Sequence, residues 1–505
     1  MTETTQHEHE PEFRRPSMSE RKTAAATELV NRLARSLGAQ LLETHISWVL
    51  LAGERAYKIK KPVQLPFVDY TTLQARRHFC AEELRLNRRL APTLYLGITR
   101  ITGSARAPEL DGAGPVREVA VCMRRFAPGA LFCERLEAGT LRAQDVDELA
   151  SVLADFHIHA PRAAATSGFA GAGERRASAL AALEGVRSLA SEAALGALRT
   201  WLENEAAVLA PLWAVRAVDG HVRECHGDLH LGNVVAFEGE TIAFDCIEFS
   251  PALRWIDTID DVAFVVMDFA AYGRRDFALR FLNAWLDHTG DHEALPALRF
   301  AIVYRALVRA QVESLRGASR AAAARRYLET ALAWAAPGQP RLFITHGLPG
   351  SGKTLGSQRL LEAQGAIRLR SDVERKRLFG LGPTEDSHAR GLQIYGAKDT
   401  ARTYARLFAL ARIALQAGYA VILDAAFLRR AERGAALALA RALKLPFSIL
   451  ECTAPLQLLR ARILARKGDA SEADVALLAR LHTTAEPLAG EELAYVREMP
   501  GAALP

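Results

Sequence analysis

From Leu41 to Pro62 short apolar runs alternate with polar positions around Gly53-Glu54. That pattern predicts a two-stranded hairpin whose second strand carries Ala56-Tyr57-Lys58-Ile59-Lys60-Lys61 before Pro62 stops it. Thr71 to Leu90 places Phe79, Leu86 and Leu90 at helical spacing, and Val116 to Arg125 reads as a further strand pair. Ala/Leu-rich helical periodicity then dominates from Leu141 to Ala210, short strands follow around Val234 and Ile242, and helices resume to Ala335. The front of the chain should therefore be a small sheet-bearing lobe followed by a mostly helical one.

Pro337-Gly338-Gln339-Pro340 punctuates the chain, and the short apolar run Leu342-Phe343-Ile344-Thr345 enters a glycine-rich loop directly. Strand-like runs at Ala366–Arg370, Ala420–Asp424 and Phe447–Cys452 alternate with helical segments, the order of an α/β parallel sheet. The expected organisation is a disordered tail over 1–25, a first domain over 26–336, a linker over 337–341 and a second domain over 342–505. Internal repeats are absent, and alanine-rich helices are the only compositional bias.

With 505 residues, half of them hydrophobic, the chain exceeds what one core usually holds, so two or three domains are expected. The six cysteines lack C-x-x-C spacing, which suits reduced thiols better than a disulfide framework or a zinc site. The first twenty residues are polar, and no run approaches the roughly 18 uninterrupted apolar residues of a membrane span. A soluble cytoplasmic protein without membrane partners is expected. Charge is uneven: residues 341–505 hold 24 Lys+Arg against 16 Asp+Glu, so the basic excess lies there. That half is the candidate for a nucleic-acid partner, although nucleotide-binding domains need arginines in any case.

Two motifs carry chemistry. His226-Gly227-Asp228-Leu229-His230-Leu231-Gly232-Asn233 has the H-x-D-x-x-x-x-N spacing of a kinase catalytic loop, and Phe244-Asp245-Cys246 follows the next strand. Phosphoryl transfer needs a base near the attacking hydroxyl and ligands that hold Mg²⁺ against nucleotide phosphates. Asp228 is placed for the base, Asn233 and Asp245 for the metal, and His226 for keeping the turn in shape. The acidic set Glu248, Asp257, Asp260 and Asp261 is open to two readings, receipt of a cationic substrate or capping and pairing with arginines such as Arg254.

These residues resemble the aminoglycoside phosphotransferase-like branch of the protein-kinase-like superfamily over about residues 40–335, which implies a bilobal α+β kinase fold. By that resemblance Lys58 of Ala56-Tyr57-Lys58 pairs with the α/β-phosphates of ATP, with Lys60 the rival, and Glu83 is the helix glutamate that pairs with that lysine. Val121 to Ala127 would be the hinge that holds adenine. The chain departs from the regulated protein kinases: no G-x-G-x-x-G precedes the lysine strand, Asp245-Cys246-Ile247 replaces D-F-G, and no A-P-E follows. Those departures favour a kinase of small-molecule hydroxyl substrates.

Gly347-Leu348-Pro349-Gly350-Ser351-Gly352-Lys353-Thr354 has the G-x-x-x-x-G-K-T spacing of a P-loop. Its glycines let backbone N–H groups of Gly350, Ser351 and Gly352 converge on a β-phosphate at a helix N-terminus, Lys353 reaches the β/γ-oxygens, and the Thr354 hydroxyl ligates Mg²⁺. Val421-Ile422-Leu423-Asp424 is an apolar strand ending in a carboxylate, so Asp424 should support the magnesium. Asp372 and Arg375 in Ser371-Asp372-Val373-Glu374-Arg375 share a helix face, where they can activate an acceptor hydroxyl and hold an anionic group. Residues 341–505 resemble P-loop kinases of the polynucleotide kinase, zeta-toxin and gluconate kinase type. The resemblance implies that Asp372 is the base and that Arg460, Arg462 and Arg466 are lid arginines; the same three can equally form a solvated helix face.

The whole arrangement resembles the bacterial fusion proteins described as bifunctional aminoglycoside phosphotransferase-like/ATP-binding proteins. The expectation is an ATP- and Mg²⁺-dependent phosphotransferase with two active sites. Two alternatives stand beside it: a single kinase regulated by the P-loop domain as a nucleotide switch, and a nucleic-acid end kinase in the C-terminal domain.

Overall fold

The computed structural model describes residues 18–65, 68–164, 166–466 and 469–499, and the first 17 residues of the expected tail lie outside them. Residues 18–25, also assigned to the tail, are instead the start of a helix, Met18–Leu37. By compactness the chain divides into two units, residues 1–128 with 244–251, and residues 129–243 with 252–505.

The first unit is built on a six-stranded antiparallel sheet in the order Gln40–Glu43, Ser47–Ala52, Arg55–Lys60, Glu118–Arg124, Tyr95–Gly103, Pro108–Leu110. Alternation sorts the strand Arg55–Lys60. Tyr57 and Ile59 join the core made with Leu29, Val30 and Leu33 of the first helix and Trp48 and Leu50 of the neighbouring strand. Lys58 and Lys60 therefore project from the other face. There they meet Glu83 of the helix Leu73–Asn87, whose first turn is capped by the Thr72 hydroxyl accepting from the Ala75 N–H at 3.1 Å.

The strand pair expected over Val116–Arg125 is a single strand, Glu118–Arg124, with six of its seven residues buried. Besides Arg55–Lys60 it pairs with Tyr95–Gly103, which the hydropathy pattern conceals because Leu96 and Ile98 are exposed and the register shifts between Tyr95 and Gly97.

The second unit begins with helices. The helix Thr258–Ala271 is buried along nearly its whole length, with Val262, Ala263, Val265 and Val266 closed to solvent. It packs against Arg275–Thr289, Leu295–Leu315 and Ala321–Ala335. Two small ladders, Val234–Phe237 with Glu240–Ala243 and Val222–Glu224 with Trp255–Asp257, frame the loop that carries the first motif.

The same unit ends in a five-stranded parallel sheet in the order Ile367–Arg370, Val421–Asp424, Leu342–His346, Phe447–Glu451, Val496–Glu498. The edge strand Ile367–Arg370 is not left bare. Asn283 of the helix Arg275–Thr289 accepts from Arg368 N at 2.6 Å and donates to Ala366 O at 3.0 Å, so one side-chain amide stands in for a missing strand. Arg280 extends this seam, pairing with Asp147 on its own side and with Glu362 of the P-loop helix at 2.8 Å. Among the described residues no helix is long and apolar enough to cross a membrane.

Candidate functional site

In the first unit Lys58 and Lys60 divide one carboxylate: Lys58 Nζ lies 3.0 Å from Glu83 Oε1 and Lys60 Nζ 2.7 Å from Glu83 Oε2. Their second partners differ. Lys58 reaches Asp245, while Lys60 reaches Glu248, whose Oε1 also accepts from the Tyr70 hydroxyl at 2.6 Å. Burial disfavours the charge of each lysine, yet the carboxylates outweigh it, Asp245 and Glu83 for Lys58, Glu248 and Glu83 for Lys60, and both lysines are held above the ordinary lysine range. Lys60 is sealed from solvent, whereas the Asp245 side chain is 40% exposed. Of the rival lysines, then, Lys58 faces the open carboxylate and Lys60 is an internal brace. Asp245 takes a left-handed backbone, φ 66°, and is fixed by its N–H to the Tyr95 hydroxyl and by the next N–H, of Cys246, to Asn87 Oδ1 at 2.9 Å.

In the second unit the loop 226–233 hangs on two carboxylates seven residues apart on the buried helix. Asp261 accepts from His226 N at 2.7 Å and Gly227 N at 2.8 Å, and Asp268 accepts from Leu231 N at 2.7 Å and from the Tyr327 hydroxyl at 2.6 Å. Gly227, at φ +88°, makes the turn that lets consecutive N–H groups share Asp261. His226 is fully buried and its Nδ1 accepts from Asp228 N. Asn233 Nδ2 donates to Asp228 O at 2.9 Å, and His230 Nε2 lies 3.5 Å from Asp228 Oδ2. Burial opposes the charge of Asp228, but His230 and Arg309 hold it well below the usual carboxylate range. A carboxylate of this kind stays ionised at neutral pH and can accept a proton only transiently.

The acidic set resolves toward pairing. Glu248 serves Lys60 and Tyr70; Asp257 caps the helix Thr258–Ala271 and binds Arg216 at 2.7 Å; Asp260 binds Arg175 at 2.8 Å; Asp261 holds the loop. Arg254 itself pairs with Glu224. Of the two readings, capping and pairing is the one these contacts match.

In the P-loop domain the strand Leu342–His346 runs into the loop and the helix Lys353–Gln364 leaves it. A methyl group on Gly347 would lie 2.2 Å from Cys452 O, and Gly350 and Gly352 hold φ of +82° and +88°. Side chains at these places would break the loop. Beyond it opens a cavity of about 740 Å³ lined by Lys353, Thr354, Asp372, Asp424, Arg462 and Arg466, among others. Gly350 and Gly352 line it as well; Gly347 and Ser351 do not. Asp424 accepts from the Ser357 hydroxyl at 3.0 Å.

Lys353 contrasts with Lys58. Its ammonium rests on the Leu348 carbonyl at 2.7 Å, and burial, only partly offset by Asp424, lowers its pKa. Among the described residues it has no ion pair, and it lines the cavity, which is the condition a polyphosphate would relieve. Asp424 carboxylate and Thr354 hydroxyl are hard oxygen donors that suit Mg²⁺.

Of the three expected lid arginines, Arg462 and Arg466 line the cavity while Arg460 does not and is exposed. On the helix Leu456–Ala465 the buried residues Leu459 and Ile463 set the inner face, and Arg460 falls on the flank away from the loop. Arg462 donates to Gly350 O at 3.3 Å, and Arg466 meets Asp469 at 3.5 Å. Asp372 and Arg375 both reach the cavity. Sequence reasoning named Asp261 only within the acidic set and missed its hold on the loop, and it missed Asp268 and Ser357; the seven-residue spacing of the two aspartates on an apolar helix was the one available signal.

Two domain families match: the phosphotransferase enzyme family over residues 80–301 and the AAA domain over residues 342–488. Proteins of Mycobacterium tuberculosis and Mycobacterium bovis, each described as uncharacterized, are 33% identical over 450 residues, covering 87% of this chain and 88% of theirs. The chain belongs to their family, a fusion of a phosphotransferase domain and a P-loop kinase domain, and is an ATP-dependent kinase. Solved structures similar to it include a choline kinase from Cryptosporidium parvum (11% identity, 68% of this chain and 97% of that one, TM-score 0.38). A gluconokinase from Sinorhizobium meliloti matches at 18% identity, 33% of this chain and 86% of that one, TM-score 0.25.

Proposed function

We propose that this kinase has two transfer sites, one phosphorylating a hydroxyl of a small molecule and the other, in the P-loop domain, a second acceptor. One observation carries the reading: Lys353, Asp424 and Asp372 line a single cavity within the P-loop domain. A phosphate cation, a metal carboxylate and a candidate base are thus assembled without any group borrowed from the phosphotransferase domain.

In the first reaction Asp228 takes the proton of the acceptor hydroxyl, Lys58 steadies the phosphates, and Asn233 and Asp245 would hold Mg²⁺. In the second Asp372 takes the proton, Lys353 neutralises the β/γ-oxygens, Arg462 and Arg466 close on them, and Thr354 and Asp424 would hold Mg²⁺. The ion, when bound, neutralises charge developing on the transferring phosphoryl group. The engagement of Glu248, Asp257, Asp260 and Asp261 in pairing supports an acceptor for the first site that those carboxylates do not recognise.

Calorimetric titration with a non-hydrolysable ATP analogue and Mg²⁺ tests the count of sites. Two equivalents should bind per chain and one per Lys353→Ala chain. A single equivalent in the unaltered protein would overturn the two-site reading.

A further inference from the structure

We propose that Tyr395 is the positioning residue of the P-loop site, holding the Asp372 carboxylate in the orientation in which it takes the acceptor's proton. The inference rests on the reading of Asp372 as base given above. Both residues line the cavity, Asp372 in the first turn of the helix Ser371–Arg377 and Tyr395 just before the helix Ala397–Gln416.

The direction of the contact follows from donor counting. The Tyr395 oxygen lies 3.2 Å from Glu472 N and 3.2 Å from Asp372 Oδ1. A backbone N–H can only donate, so the phenol accepts from Glu472 and its single hydrogen goes to Asp372. Burial, reinforced by the charge of Asp372, pushes the phenol's pKa up, so the group remains a donor throughout the range in which a kinase works.

Tyr395 is itself held at both ends. The Arg375 guanidinium sits 4.8 Å from the centre of its ring and is anchored on Ile394 O at 3.1 Å and Thr400 Oγ1 at 3.3 Å. Glu472, which supplies the N–H, is fixed through its carboxylate by the fully buried Lys376 at 2.9 Å and by Ser387 N at 2.9 Å. Lys376 belongs to the same short helix as Asp372, so base, tyrosine and Glu472 close a ring of contacts on one element.

The chemical consequence is a division of labour within one carboxylate. Oδ1 is committed to the phenol, which leaves Oδ2 to the acceptor. As the acceptor oxygen bonds the γ-phosphorus its proton passes to Asp372, the bond from phosphorus to the β,γ-bridging oxygen breaks, and ADP leaves with that electron pair. Orientation of this kind acts on the rate of the chemical step and leaves nucleotide affinity alone.

The test uses the full chain carrying Asp228→Asn, so that turnover comes from the P-loop site, and reads loss of the γ-phosphate from labelled ATP in a small-molecule cell extract, where water and natural acceptors both count. Tyr395→Phe keeps the ring over Arg375 and removes only the hydroxyl. It should lower kcat roughly 10- to 100-fold with KM for ATP within about twofold, and in an Asp372→Asn background it should lower the rate no further. An unchanged kcat, a rise in KM alone, or an effect that multiplies with that of Asp372→Asn would overturn the role of Tyr395. Full turnover in Asp372→Asn, or no Lys353-dependent turnover at all, would instead remove Asp372 as base and the inference with it.

Discussion

Lys60 Nζ lies 2.7 Å from Glu83 Oε2, with both side chains closed to solvent. Lys58, two residues earlier on the same strand, meets the other oxygen of that carboxylate, yet it also faces the partly exposed Asp245. Two identical residue types thus divide into a sealed brace and a lysine facing the more open carboxylate by where their second partner sits.

Lys60→Met should destabilise the first unit by about 3–5 kcal/mol, because it leaves Glu83 and Glu248 buried with one cation fewer. Lys58→Met should instead lower first-site turnover roughly 100-fold or more through lost phosphate stabilisation. Hydrogen exchange of the strand Arg55–Lys60, read beside kinase activity, separates the two effects: fast exchange in the first variant, near-native exchange with lost activity in the second.

Arg466 and Arg460 supply a matched pair. Arg466→Ala should weaken P-loop-dependent ATP turnover roughly 10- to 100-fold, while Arg460→Ala should leave kcat and KM unchanged because its side chain lies outside the cavity. Steady-state kinetics with each variant provides the comparison, and unchanged turnover in both would return the helix to the solvated-face reading.

His346 ends the strand that enters the P-loop, and both its ring nitrogens are buried with no hydrogen-bond partner among the described residues. Burial, with Arg433 adding to it, lowers its pKa to about 4. The folded state therefore keeps the ring neutral while the unfolded chain binds a proton below about 6.5. The contribution is complete above that pH and is lost as pH falls toward about 4. Thermal unfolding at pH 7 and pH 5 should show a smaller drop in midpoint for His346→Gln than for the unaltered chain.

The reach of sequence reasoning followed the kind of constraint. The P-loop was legible because its demand is on the backbone: the carbonyl of Cys452 permits no side chain at Gly347, and only glycine is comfortable at the φ of Gly350 and Gly352. The pairing of Lys58 with Glu83 was expected from the family resemblance, and strand alternation with one helix brings the two together. Asp261 and Asp268 were not, since their task is set by a loop some thirty-five residues away that only the tertiary fold brings onto their helix. The strand Tyr95–Gly103 escaped because its bulge and the exposed Leu96 and Ile98 break the apolar alternation. Arg460 was separable in principle: Leu459 and Ile463 mark the inner face of its helix, and 3.6-residue periodicity puts Arg460 on the flank opposite Arg462.

The most direct measurement of two independent transfer sites compares labelled products formed from [γ-³²P]ATP and a small-molecule cell extract by Asp228→Asn and by Asp372→Asn. Each variant should lose one set of labelled products and keep the set the other loses. Loss of every product in either variant, or of none in one of them, would contradict two independent sites.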